Sequence, residues 1–170
     1  MNSPFFIRIA ALVLMMGVGA LAQAETIEEV MKRSQEERLV SFERSPATES
    51  VRMIETTFGR LCQALNLPPG AAELRVVKRG PYAETLLGRV VIVNESLAAL
   101  SEGERAFILA HEIGHIASRH WGQMVAVYRF RVPGEVRQTE TDAIAGVLGR
   151  EASRLAHCQE VAADAYALQA

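Results

Sequence analysis

SEGERAFILAHEIGHIASRH, residues 101–120, is the stretch that decides the fold. Ser101 and Glu104 form an S-x-x-E capping box, which predicts a helix that begins at Glu102. That helix contains an HExxH motif at residues 111–115. His111 and His115 are four residues apart, so about 40° of helix rotation separates them and both imidazoles project from one face.

Two imidazoles on one helix face can bind a single zinc ion at about 2.0–2.1 Å from each nitrogen. Glu112 lies beside the expected metal and is the candidate catalytic base, because zinc lowers the pKa of a bound water whose proton a carboxylate can accept. The motif arises by chance in only about one chain in a hundred of this composition. We therefore expect one Zn²⁺ per chain.

Two histidines and a water hold zinc weakly, so a third protein ligand is expected. The longer pattern HExxHxxGxxH requires glycine at 118 and histidine at 121, where this chain has Ser118 and Trp121. His120 is one residue out of register, which rotates it about 100° from the required direction on a continuous helix. The third ligand should therefore come from another element.

Glu160 is the best candidate for that third ligand. Asp164 lies four residues later on the same predicted helix face, where it can accept the other ring N–H of a ligand histidine and fix its orientation. Small residues on both helices, such as Gly114 and Ala163, would let them approach closely. Four alternative ligands remain open, namely Glu140, Asp142, Glu151 and His157. Four side chains remain candidates to stabilise an oxyanion, namely Tyr82, His120, Tyr128 and Arg154.

The first 24 residues are typical of a secretory signal peptide. They contain one base and no acid, an apolar run over residues 9–21, and a small-x-small site at Ala22-Gln23-Ala24. The run is shorter than the ~20 residues needed to cross a bilayer as a helix. We expect cleavage after Ala24 and export to a periplasm, with an uncleaved membrane anchor as the alternative. Cys62 and Cys158 could pair after export or stay as separate apolar residues.

Composition limits the remaining possibilities. The chain has 170 residues, 18 basic and 20 acidic, with a net charge of −2. This near-neutral balance argues against a nucleic-acid partner, which usually requires a basic excess. The length fits one domain. We predict a helical or linker segment over residues 25–48 and the main domain over residues 49–170.

Hydrophobic periodicity predicts a mainly helical α+β protein with a small sheet. Two strands are expected at residues 73–77 and 89–93. Besides the HExxH helix, four helices are expected, at residues 26–44, 49–65, 135–150 and 151–168. The last of these would present Glu160 and Asp164.

At this point two segments resemble a known family. NESLAALSEGERAFILAHEIGHIASRH (residues 94–120) and SRLAHCQEVAADAYAL (residues 153–168) are similar to the HtpX-like zinc peptidases, which include the CAAX prenyl endopeptidases and exported quality-control proteases. The resemblance implies a zincin-like metalloprotease domain of gluzincin type. It also implies endopeptidase activity on unfolded or membrane-associated proteins, so envelope proteins are the expected substrates and peripheral membrane association stays open.

The chain departs from the family pattern in three places. ETLLGR at residues 84–89 replaces the usual segment on the strand before the active helix, the 45-position gap between His115 and Glu160 is short, and the sequence stops six residues after Asp164. These departures leave an alternative function open. In that alternative, the chain is a zinc-stabilised binding or adaptor protein that keeps the peptidase fold and has little or no activity. The sequence leaves the oligomeric state undetermined.

Overall fold

The computed structural model describes residues 25–133 and 141–170. Within these ranges the chain forms five α-helices, one 3-10 helix at Glu95–Ala99, and one sheet. The α-helices are α1 (Ile27–Ser41), α2 (Glu49–Ala64), α3 (Glu102–Ala117), α4 (His120–Arg131) and α5 (Thr141–Ala167). The fold is therefore mainly helical α+β, as predicted. The expected signal peptide and the alternative ligand Glu140 lie outside the described residues.

Local capping sets the start of three helices. The side chains of Thr26, Thr48 and Ser101 accept hydrogen bonds from backbone N–H groups in the first turn of α1, α2 and α3. Both partners of the predicted capping box at Ser101 and Glu104 are present. A capping box satisfies donors that the first turn of a helix otherwise leaves unpaired, so it fixes the register of the HExxH residues.

The sheet has three strands in the order β1-β3-β2, consisting of β1 (Glu73–Val77), β2 (Ala83–Leu86) and β3 (Val90–Asn94). β3 pairs with β1 in parallel and with β2 antiparallel, so β2 is an edge strand. The central strand is buried on both faces. Val91 and Val93 belong to the core formed with α2 and α3, whereas Val90 and Ile92 pack towards Leu39 of α1.

The structure corrects three of the element predictions, the first being α4 (His120–Arg131), a helix that the sequence does not predict. The sequence predicts two strands, and β2 is a third. The sequence also predicts two helices that meet at residues 150–151, whereas α5 continues through Arg150 to Ala167. No helix in the described part of the chain combines the length and apolar character that a membrane crossing requires. Cys62 and Cys158 are both free thiols.

Candidate metal centre

The packing of α3 against α5 brings the two halves of the predicted site together. A Cβ atom placed on Gly114 would lie 3.2 Å from the Cα of Ala163 and 3.1 Å from the Cβ of Tyr166. Glycine at this position therefore permits an approach that a larger residue would obstruct. Gly114 and Ala163 are buried, as the sequence predicts for small residues at this contact.

Across this contact, Asp164 of α5 meets the ring of His111. The Nδ1 atom of His111 lies 2.9 Å from the Oδ1 atom of Asp164. A carboxylate can only accept this hydrogen bond, so the proton lies on Nδ1 of His111. Its Nε2 atom is then left with a lone pair, the form in which an imidazole ligates a metal.

His111, His115 and Glu160 form the group that could hold an ion within the described ranges, with one atom from each lying within 4.8 Å of the others. The Nε2 atoms of His111 and His115 are 3.1 Å apart. One carboxylate oxygen of Glu160 lies 3.4 Å from the Nε2 atom of His111, and the other lies 3.8 Å from the Nε2 atom of His115. Ligand atoms about 2.0–2.1 Å from a tetrahedral zinc are about 3.4 Å apart. The separations and the His-His-Glu donor set therefore fit zinc.

The electrostatics of the cluster differ between the two histidines. Burial lowers the pKa of His115 to about 4, so this imidazole is neutral at neutral pH. When Nε2 of His111 also carries a proton, its hydrogen bond to Glu160 raises the pKa of His111 and lowers the pKa of Glu160, so a bound metal ion would take the place of that proton. An ionised carboxylate beside a neutral imidazole is the combination that binds a divalent ion.

His120 reaches the far side of the His115 ring. Its Nδ1 atom lies 2.9 Å from the Nδ1 atom of His115. The sequence argument against His120 as a metal ligand assumed a continuous helix, but α3 ends at Ala117 and Arg119 adopts a left-handed conformation with φ of 54°. This turn starts α4 and directs His120 back towards His115. From the sequence, His120 is predicted only as a candidate to stabilise an oxyanion, and its contact with His115 is not predicted.

Glu112 is held by the edge strand. The hydroxyl of Thr85 in β2 lies 2.8 Å from a carboxylate oxygen of Glu112 and 3.0 Å from its backbone carbonyl oxygen. The Glu112 side chain is buried, and this burial raises its pKa to about 7, although the Thr85 hydrogen bond acts in the opposite direction. A carboxyl group with a pKa near neutrality suits proton transfer in either direction.

One cavity of about 300 Å³ contains His111, Glu112, His115 and Glu160 in its lining. Two of the four oxyanion candidates, His120 and Tyr128, also line it, whereas Tyr82 and Arg154 do not. The alternative metal ligands in the described residues lie elsewhere. Glu151 is paired with Arg131, and neither Asp142 nor His157 belongs to the metal-binding group.

Comparison with known proteins agrees with this geometry. The family model for peptidase family M48 matches residues 49–170, which is more than half of the chain. The chain belongs to peptidase family M48. Searches of curated proteins and of solved structures returned no match.

Family M48 consists of zinc metallopeptidases, so membership indicates a metallopeptidase hydrolase in general. It confirms the resemblance inferred from the HExxH helix and the Glu160 segment. The M48 match begins at residue 49, so α1 lies outside the matched segment although it contributes to the cavity.

Proposed function

We propose that this M48 chain is a zinc-dependent endopeptidase with a zincin-like catalytic domain. The observation that carries the proposal is the convergence of His111, His115 and Glu160 beside the buried carboxyl group of Glu112. Zinc held by the first three residues would supply a Lewis acid that activates water and polarises a carbonyl group. This single set of three ligands would bind one Zn²⁺ per chain.

The chain's own residues supply the proton transfers and the positioning. Glu112 accepts the proton of the attacking water at a carboxylate oxygen and then donates it to the departing amine nitrogen, which leaves as the C–N bond breaks. Thr85 fixes the direction of that carboxylate. Asp164 holds His111 by its Nδ1 proton and keeps Nε2 directed towards the cluster.

We propose a periplasmic location and unfolded or envelope proteins as substrates. The location is supported by the signal-peptide pattern of residues 1–24, and the substrate class by the family resemblance. A net charge of −2 supports protein partners over nucleic acid. A periplasmic location and unfolded envelope proteins as substrates together suggest a role in envelope protein quality control.

The deciding experiment compares wild-type protein with Glu112→Gln, measuring zinc content and casein cleavage on the same samples. We expect both to hold one zinc per chain, and the variant to lose cleavage by at least about 100-fold. Glu102→Gln, at an exposed position of the same helix, is the matched control and should retain both properties. Full cleavage by Glu112→Gln would refute the mechanism. Zinc in wild type without cleavage of any peptide would favour the adaptor alternative.

A further inference from the structure

The free edge of β2 adjoins the candidate catalytic carboxyl group. β2 pairs with β3 on one side only, and the hydroxyl of Thr85, in the middle of β2, lies 2.8 Å from a carboxylate oxygen of Glu112. The register of the ladder directs the backbone groups of Ala83 and Thr85 away from β3, towards that edge. An exposed strand edge can bind an extended peptide through such groups. A peptide bound along β2 would therefore pass beside Glu112.

Helix α1 occupies one end of this edge. The backbone N–H of Leu87, the residue that follows β2, donates a hydrogen bond to the side-chain oxygen of Gln35. Three residues further along α1, Arg38 makes two hydrogen bonds to the carboxylate of Glu84 in β2, at 2.8 and 2.7 Å. A peptide that continued along the edge past Thr85 would therefore meet α1 in its path.

α1 also reaches α4 on the other side of the cavity. Met31 belongs to the same buried cluster as Met124 and Tyr128 of α4. Three side chains of α1 line the cavity that contains the metal ligands, namely Met31, Gln35 and Arg38. α1 therefore spans the gap between the edge strand and α4 and bounds the cavity on that side.

A cavity bounded in this way does not fit the substrate of an endopeptidase. Its volume of about 300 Å³ lies at the low end for pockets that hold one small ligand, and it includes the metal centre. A polypeptide that is cleaved within its length must continue on both sides of the bond that breaks. The docked position of α1 obstructs one of those two directions.

α1 is attached by few buried contacts. Of its 15 residues only Met31 is buried, whereas α2, which has 16 residues, buries five. Gln35 and Arg38 are partly exposed, so water competes for their hydrogen bonds. An element with few buried apolar contacts opens locally at a low cost in free energy. α1 precedes the segment matched to family M48, so it can leave the cleft while that segment stays folded.

We propose that α1 is an autoinhibitory strap. Docked as in this structure, it blocks the edge of β2 to an extended polypeptide, and its release opens that edge to substrate. That the polypeptide is a substrate rests on the proposed function, whereas competition between α1 and an extended polypeptide can be measured without catalysis.

The activity test loosens the strap in the zinc-loaded protein. The double variant Gln35→Ala/Arg38→Ala removes the contacts of α1 with Leu87 and Glu84. We expect kcat/KM for casein to rise by about 10-fold, because the loss of these hydrogen bonds favours the released state. The matched control is Lys32→Ala/Glu36→Ala, an exposed pair on the same helix that does not line the cavity, and it should leave the rate unchanged. If wild-type protein cleaves casein and the Gln35/Arg38 variant cleaves it no faster, the inference is overturned.

A binding test needs no catalysis. Fluorescein-labelled casein is titrated with zinc-loaded Glu112→Gln, with and without the Gln35→Ala/Arg38→Ala substitutions, and fluorescence anisotropy gives the Kd. We expect binding to be about 10-fold tighter when the strap is loosened, since more of the protein is then in the binding-competent state. Arg131→Ala removes a similar ion pair between α4 and α5, so it controls for general loosening and should not tighten binding. Equal affinity in both forms, or no binding to either, would overturn the inference.

Hydrogen exchange reports the position of α1 in the bound state. The amides of residues 27–41 should exchange faster when casein is bound to Glu112→Gln, because the bound polypeptide keeps α1 away from the edge. The amides of α2 at residues 49–64 are the internal control and should keep their protection. Equal or greater protection of residues 27–41 in the complex would contradict the strap.

The two proposals fail in different ways. If wild-type protein cleaves casein and loosening the strap raises neither the rate nor the affinity, the strap inference is wrong and the endopeptidase proposal stands. If no form of the protein cleaves casein, the proposed function fails, and the binding and exchange measurements still decide whether α1 competes with an extended polypeptide.

Discussion

The Nδ1 atom of His120 lies 2.9 Å from the Nδ1 atom of His115, on the opposite side of the ring from the Nε2 atom that faces Glu160. For His115 to present the lone pair of Nε2 to a metal, its proton must lie on Nδ1. His120 is positioned to accept that proton in a hydrogen bond. It is itself held in place, since Gln159 donates to its backbone carbonyl oxygen at 3.0 Å. His120 therefore orients His115 as Asp164 orients His111.

We predict that His120→Ala weakens zinc affinity by about 10–100-fold, the usual effect of removing a hydrogen-bond partner of a metal ligand. Competition with a chromophoric chelator measures this directly. His120→Asn, which offers a carbonyl oxygen as acceptor, should restore part of the affinity. His157→Ala is the control, because His157 is exposed on α5 and lies outside the cluster. Unchanged affinity in His120→Ala would show that the contact is only packing.

The identity of the third ligand is tested by Glu160→Ala beside Glu151→Ala. We expect Glu160→Ala to lose zinc or bind it far more weakly, because two imidazoles alone form an incomplete site. Glu151→Ala should retain zinc, since Glu151 pairs with Arg131. Metal content after dialysis against a fixed free zinc concentration distinguishes the two variants. Full occupancy in Glu160→Ala would move the third ligand to another residue, Glu140 included.

Gly114→Ala tests whether close approach of α3 and α5 is required. The added methyl group would lie 3.2 Å from the Ala163 backbone, which cannot rotate away, so we expect a loss of about 1–3 kcal/mol in the free energy of unfolding. Gly103→Ala is the control in the same helix, where nothing lies within 4 Å, and it should be neutral or slightly stabilising. Urea denaturation measures both. Equal stability of the two variants would contradict the packing argument.

Thr85→Val tests the hydrogen bond that positions Glu112. The change keeps the shape of the side chain and removes the hydroxyl group, so we expect kcat to fall by about 10-fold with zinc content unchanged. Thr85→Ser keeps the hydroxyl group and should retain most of the activity. Peptide hydrolysis and metal analysis on the same preparations provide the two readouts. If Thr85→Val instead keeps its kcat and changes only KM or zinc content, Thr85 does not position Glu112 for proton transfer.

The sequence predicts the parts of the site that depend on local rules. The capping box sets the start of α3, four-residue spacing places His111 beside His115 and Glu160 beside Asp164, and small residues allow the two helices to meet. Each of these follows from the geometry of a single helix. The pairing of the two helices was inferred from chemistry, since a zinc site with two histidines needs a third ligand.

The features that the sequence missed depend on tertiary context. β2 contains Glu84 and Thr85, whose polar side chains bind Arg38 and Glu112, so the strand lacks the apolar alternation that reveals an edge strand. The left-handed conformation of Arg119 is equally hidden, because arginine has no special preference for it. The continuity of α5 is also hidden, because packing against α3 and α4 maintains one helix across residues 150–151, where the sequence predicts the end of one helix and the start of another.

The meeting of α3 and α5 also makes the metal centre a cross-link. His111 and His115 lie on one helix and Glu160 on another, 45 positions further along the chain. A metal bound by all three stabilises the folded chain in proportion to the logarithm of free zinc concentration, because the unfolded chain cannot assemble the site. The melting temperature of this protein should therefore report the zinc supply of its compartment, and zinc scarcity would remove stability together with the metal.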